Sequence, residues 1–179
     1  MGIRRRDRRA ARSRTRPSCA ACRAERGACR PTRRRRATWT RRAMTELIAF
    51  DADVLIYAAD RAHPLGTKVV RLFEQSGTPA GIGSVLLLPE MLAKPLRADP
   101  HSEEVAALAG VLSRLDLRPF DEQTARLAVA LSVAYALRAA DAAHLATAVA
   151  AGADVFLTNN RKDFSPTISE IDIVYPADL

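Results

Sequence analysis

The chain has 179 residues and a formal charge of +8, a length that suits one domain, or one domain with a tail. The average misleads: residues 1–43 hold 17 arginines against two acids, Asp7 and Glu25, so this segment carries +15 and leaves −7 for residues 44–179. No apolar run reaches the length of a membrane-spanning helix, so no membrane association is expected.

Residues 1–43 have few apolar side chains beyond alanine and no apolar period. Such a segment buries too little surface to offset its ordering entropy, and disorder is expected. Three explanations compete for it. Arg33 to Arg36 suit a tail that binds nucleic-acid phosphates without sequence preference. The Arg-rich, acid-poor composition also suits a targeting peptide, although no apolar secretion core is present. The third explanation, the one we expect, is that Met44 is the true start, since Thr45, Glu46 and a strand-like run follow it directly. All three cysteines (Cys19, Cys22, Cys29) lie in this segment. Cys19 and Cys22 form a C-x-x-C, but no histidine precedes His63 to help complete four zinc ligands. Residues 44–179 contain no cysteine, hence no disulfide, and fit a reducing cytoplasm.

From Met44 onward the elements follow in order. Leu47 to Phe50 is a short apolar run ending at Asp51, which predicts a buried strand with an acid at its carboxyl end. Val54 to Ala59 opens a helix that His63-Pro64 breaks. A second helix, from about Leu65 to Gln75, places Val69, Leu72 and Phe73 on one face, and Gly77-Thr78-Pro79 is a turn. Ala80 to Gly83 predicts a strand, and Ser84 the N-cap of a helix from Val85 to Leu96, bent at Pro89. Ser102 caps a further helix to about Ser113. Leu115 to Phe120 alternates as a strand, and Asp121 caps an alanine-rich helix to about Arg138. Asp141 opens another helix that ends at Gly152, Val155 to Thr158 is a buried strand, Asn159 to Phe164 a loop, and Ile171 to Val174 a last strand. Strands alternate with helices, so the fold class is α/β, three layers around a mostly parallel sheet.

In such a sheet, ligands bind beyond the carboxyl ends of the strands. Asp51 and Asp163 map there directly, Asp141 to the first turn of a helix, and Glu90 inside another. Four carboxylates at one sheet edge repel one another unless cations lie between them. Hard divalent ions that keep several waters, Mg²⁺ or Mn²⁺, suit that role and can activate water against a phosphodiester. Eighteen acids among residues 44–179 must mostly form a solvated surface, and Asp121 and Asp141 also suit plain helix caps.

Four strings bear on this choice. FDADVLIYAAD (Phe50 to Asp60) resembles the opening motif of PIN domains, where an acid follows the first strand. LLLPEMLAKPLR (Leu86 to Arg97) looks like the helix that carries the family's glutamate, here Glu90. RAADAAHLATA (Arg138 to Ala148) resembles the third motif, with Asp141 as its acid, and LTNNRKDF (Leu157 to Phe164) the fourth. The order and spacing match over essentially all of 44–179, and by length the chain is most similar to VapC-like toxins. That resemblance implies an RNA-cleaving nuclease with Asp51, Glu90, Asp141 and Asp163 as catalytic and metal-binding acids. It also implies Mg²⁺ or Mn²⁺, a homodimer, and inhibition by a VapB-like antitoxin. Two departures stand out. Many relatives have an acid where this chain has Asn160, whereas others place it at the position of Asp163, which we take as the fourth ligand with Asn160 as a polar helper. Many have Asn or Ser where this chain has Asp53, which becomes an outer contact to the metal.

Thr158 and Asn159 suit either hydrogen bonding to water or phosphate, or holding the turn. His144, three residues after Asp141, is expected to be packed or partly exposed rather than catalytic. Arg138, Arg161 and Lys162 are candidates for RNA phosphate contacts, and Arg97 for a solvated helix end. Two rival functions remain. Phe50 to Val54 also matches the D-x-D pattern of haloacid-dehalogenase-type phosphatases, with Asp51 as nucleophile and Asp53 as acid/base. That family needs a late acid pair, where this chain offers Asn159-Asn160. The other rival is a catalytically inactive PIN-like binding module.

Overall fold

Three consecutive apolar residues, Ile48–Phe50, form β1 at the centre of the sheet, and all three are buried. The structure, a computed structural model, describes residues 46–179. The basic arm, its C-x-x-C pair and the expected start at Met44 lie outside the described residues. In chain order the elements are β1, α1 (Ala52–Ala59), α2 (Pro64–Gln75), β2 (Ile82–Ser84), α3 (Leu87–Ala98) and α4 (Glu103–Leu112). They continue with β3 (Asp116–Arg118), α5 (Glu122–Tyr135), α6 (Ala139–Ala150), β4 (Val155–Leu157), β5 (Asp172–Val174) and a closing 3-10 turn, Pro176–Asp178. The strand order is β3-β2-β1-β4-β5, and every described pairing is parallel.

Successive strand residues point to opposite faces, so the same strands supply two cores. Ile48, Phe50, Val155, Leu157 and Val174 pack with α1 to α4 on one side. Ala49, Phe156 and Ile173 pack with α5 and α6 on the other. Three layers follow, α/β/α, as the alternation of elements predicts. Phe50 and Phe156 are each 1 % exposed and anchor opposite faces. Truncating either to alanine costs ~3–5 kcal/mol by loss of burial and the cavity left behind. Gly66 lets α1 and α2 meet closely, because a Cβ there would run into the Tyr57 carbonyl.

Four local expectations need correction. Ser84 is not the N-cap of α3. It ends β2, and although its Oγ accepts from the Leu86 N–H (3.3 Å), the helix begins at Leu87 behind Leu86, which makes no side-chain cap. Pro89 is the third residue of α3, where a nitrogen has no intrahelical acceptor to lose, so the proline inside the helix is Pro95. The alanine-rich helix α5 stops at Tyr135 because Ala136 turns into the left-handed region (φ 55°). Asp141 is no cap either: it is the third residue of α6, and Arg138 holds the N-cap position without a side-chain bond. Asp121 does cap α5, accepting from the Thr124 N–H and hydroxyl at 2.8 Å each, and these bonds hold its carboxyl below the usual range.

Candidate active site

The register of the two central strands builds the site. Phe50 lies opposite Leu157, so the next residues, Asp51 and Thr158, leave the sheet side by side. The Asp51 N–H donates to the Leu157 carbonyl (3.0 Å) and carries the pairing one step further. The Thr158 hydroxyl donates to Asp51 Oδ2 at 2.7 Å, while Asp51 Oδ1 accepts from the Ala52 N–H at 2.8 Å and caps α1. Thr158 Oγ1 also accepts from the Asn160 N–H (3.0 Å), which fixes the start of the following loop. Thr158 is fully buried, and its two bonds tie the turn to Asp51.

Asp51 is itself buried, and burial raises its pKa against the opposing hydrogen bond from Thr158, with the charge of Glu90 adding to the rise. Asp53, one helical step on, accepts the Asn159 N–H with both oxygens, at 3.2 and 3.0 Å. Burial first, then the neighbouring Asp51, push its carboxyl up to about 7; the bond from Asn159 opposes the rise. The Asn159 amide donates in turn to the Tyr57 hydroxyl (3.3 Å). Asp141 is half-buried in the first turn of α6, and burial, Asp51 and Asp163 raise its pKa in that order, against His144 and Arg138.

Asp163 and Asn160, alternatives for one position in the sequence, are bonded to each other. The Asn160 amide donates to Asp163 Oδ2 (2.9 Å), and the Asp163 N–H donates to Asn160 Oδ1 (3.2 Å). Glu90, in the first turn of α3, receives the His144 Nε2 at 2.6 Å. Asp51 therefore feels Glu90, Asp53 feels Asp51 and Asp141, and Asp141 feels Asp51 and Asp163: all five acids belong to one electrostatic cluster. Among the described residues, no three such side chains are arranged to close around one ion as they stand. The chemistry of the donor set still fits a hard cation. It is all oxygen, and Asp51, Asp53 and Asp141 are each penalised for carrying charge, a cost that an added cation offsets.

A family model for the PIN domain matches residues 48–167. The chain belongs to the PIN domain family. Its fold resembles that of a chain in a toxin–antitoxin complex from Klebsiella pneumoniae, with a TM-score of 0.57 and 23 % identity over 73 % of this chain and 97 % of that one. A chain of a VapBC complex from Rickettsia felis, bound to a promoter DNA fragment, matches with a TM-score of 0.58 and 18 % identity over 72 % and 98 %. A chain of a DNA-bound VapBC from Salmonella typhimurium matches with 0.59 and 20 % over 73 % and 98 %. No curated protein matches this chain.

This PIN domain keeps its three candidate RNA contacts on exposed positions. Arg138 stands at the start of α6 near Asp141. The Arg161 guanidinium lies 3.9 Å from the centre of the Tyr175 ring and reaches Asp178 at 3.5 Å, so it is already engaged on the protein surface. Lys162 follows it in the loop. Two features of the site escaped the sequence: the grip of Thr158 on Asp51, and the bond of His144 to Glu90. His144 is packed, at 3 % exposure, but its partner lies on another helix, and no local pattern signals such a pair.

Proposed function

We propose that this PIN domain is a Mg²⁺- or Mn²⁺-dependent endoribonuclease, the toxin of a VapBC-like pair. In this reading it acts in the cytoplasm as a homodimer and is inhibited by a VapB-like antitoxin. The observation that carries the proposal is the coupled acid cluster at the carboxyl ends of β1 and β4, on a fold shared with chains of VapBC complexes. No helix among the described residues is long and apolar enough to cross a membrane.

Asp51, Glu90, Asp141 and Asp163 would hold the cation, with Asp53 as an outer contact. When bound, the ion supplies an activated water and neutralises charge that develops on the phosphodiester. The chain's own residues do the rest. Thr158 and the Ala52 N–H hold both Asp51 oxygens in place, so this carboxylate needs no reorganisation. Asn159 fixes Asp53 through its backbone, and Asn160 orients Asp163. Arg138 and Lys162 take phosphates that flank the cut, as electrostatic contacts without sequence preference.

The test is cleavage of a fluorescent RNA by the full-length chain with Mn²⁺, with EDTA, and with Asp51→Asn. Mn²⁺-dependent scission that the variant loses supports the nuclease. Phosphate release from a monoester without RNA scission supports a phosphatase built on Asp51 and Asp53. Growth arrest on expression that Asp51→Asn leaves intact supports a non-catalytic binding module.

A further inference from the structure

His144 is a polar ring in an apolar place. It lies in the buried stretch Ala142 to Ala148 of α6, among residues that pack on the sheet. Burying an imidazole costs free energy unless its nitrogens find partners. Nδ1 finds none, and it is the one buried side-chain polar atom without a partner among the described residues. The bond of Nε2 to Glu90 Oε2, at 2.6 Å, is therefore the contact that justifies the ring's polarity. A carboxylate oxygen accepts, so Nε2 donates, and the short distance is that of a charge-assisted bond.

The partner differs in kind. Glu90 projects from α3 with 43 % of its side chain exposed, against 2 % for His144. An exposed glutamate samples several rotamers, and fixing it costs conformational entropy. Asp51 and Asp53 are held by backbone N–H groups; Glu90 is held by a side chain from a different helix. Asp141 precedes His144 by three residues, on the same face of α6.

We infer that His144 is a positioning residue: its Nε2–H fixes the Glu90 carboxylate within reach of Asp51, so that α3 contributes an acid to the cation site. The inference rests on the nuclease reading above and adds to it a residue that touches neither metal nor RNA. It explains why a polar ring with one unmatched nitrogen is kept inside α6. It also predicts that the bond acts through metal affinity rather than RNA affinity.

The test uses full-length protein with His144→Leu, which removes the donor at similar bulk, and His144→Gln, whose amide offers a donor at comparable reach. Mn²⁺ binding is measured by calorimetry without RNA, and kcat and KM on a fluorogenic RNA across a Mn²⁺ titration. The leucine variant should bind Mn²⁺ about 10-fold or more weakly, the scale seen for partners that orient metal ligands. Its kcat should recover at saturating Mn²⁺ with KM for RNA unchanged, and glutamine should restore most of the binding. In a Glu90→Ala background, His144→Leu should weaken binding no further. Mn²⁺ binding unchanged in His144→Leu, or His144→Gln as weak as leucine while both melt like the native protein, overturns the inference. If leucine does not fold, His144→Asn, whose amide stops short of Glu90, serves in its place under the same criteria. Native protein that binds no Mn²⁺ sinks both the nuclease reading and this one; normal native binding with an unaffected leucine variant sinks only this one.

Discussion

Asp51 and Glu90 are two ends of one acid cluster, held by opposite means. Asp51 is placed by the backbone: it directly follows a central strand whose register with β4 is set, and hydrogen bonds occupy both its oxygens. It is buried, so its position is rigid and its charge is costly. Glu90 is placed by one side chain across two helices, and much of it remains in water. The sheet edge thus provides a fixed carboxylate whose charge burial opposes, and the helix layer provides a largely exposed one that a side chain holds. In the proposed cation site the two would act together, because charge draws the ion and rigidity fixes the geometry.

The sharpest way to break the comparison is to neutralise the fixed end. Asp51→Asn should slow RNA cleavage by ~10²-fold or more, the scale of losing one group that handles charge in the reaction. The same variant should melt no lower than the native protein without metal, since a penalised buried charge has been removed. A melting temperature that falls instead would mean that the carboxylate stabilises the fold.

Removing the clamp is the next largest change. Thr158→Val strands Asp51 Oδ2 and the Asn160 N–H, and should cost ~1–3 kcal/mol in urea unfolding, the range for buried groups left unpaired. Thr158→Ser should recover most of that loss. A serine variant less stable than the valine variant would show that the methyl group, not the hydroxyl, is what the site needs.

Proton linkage sharpens the contrast without mutation. The Asp53 carboxyl is raised from 3.8 to about 7 in the folded protein, so between these values the folded state binds more protons than the unfolded one. Stability without metal should be greatest near the lower value, fall as pH rises, and level off above about 7. Asp121 and Glu170, whose carboxyls are held low, act in the opposite sense only at more acid pH. Mg²⁺ should flatten the decline by stabilising the charged forms. Melting temperatures at pH 5 and pH 8, with EDTA and with Mg²⁺, measure both effects; a flat profile in EDTA would remove the case for penalised carboxylates.

The smallest expected effect separates a structural acid from the cluster. Asp121→Ala should lower the melting temperature slightly through loss of the α5 cap and leave RNA cleavage unchanged. A change in kcat there would place Asp121 in a role its geometry does not suggest.

Much of this molecule was legible in its residues. Apolar runs of strand length, helices with periodic cores and the caps at Ser102 and Asp121 are local properties, and they specify an α/β sheet with acids past its strands. Boundaries were less legible where a local signal had two uses. Ser84 reads as a cap but ends a strand, and Pro89 reads as a break but sits in the first turn, where its missing N–H costs nothing. The acid at the end of β1 was equally visible, since a run of buried residues followed by aspartate needs no partner to be recognised. What holds Asp51 and Glu90 from across the fold was decided by tertiary structure alone. Thr158 grips Asp51 across 107 positions, and His144 reaches Glu90 across 54, because strand register and helix packing bring them together. A carboxylate's identity is written in one residue; its burial, its protonation and its orientation belong to neighbours that the chain supplies only after it has folded.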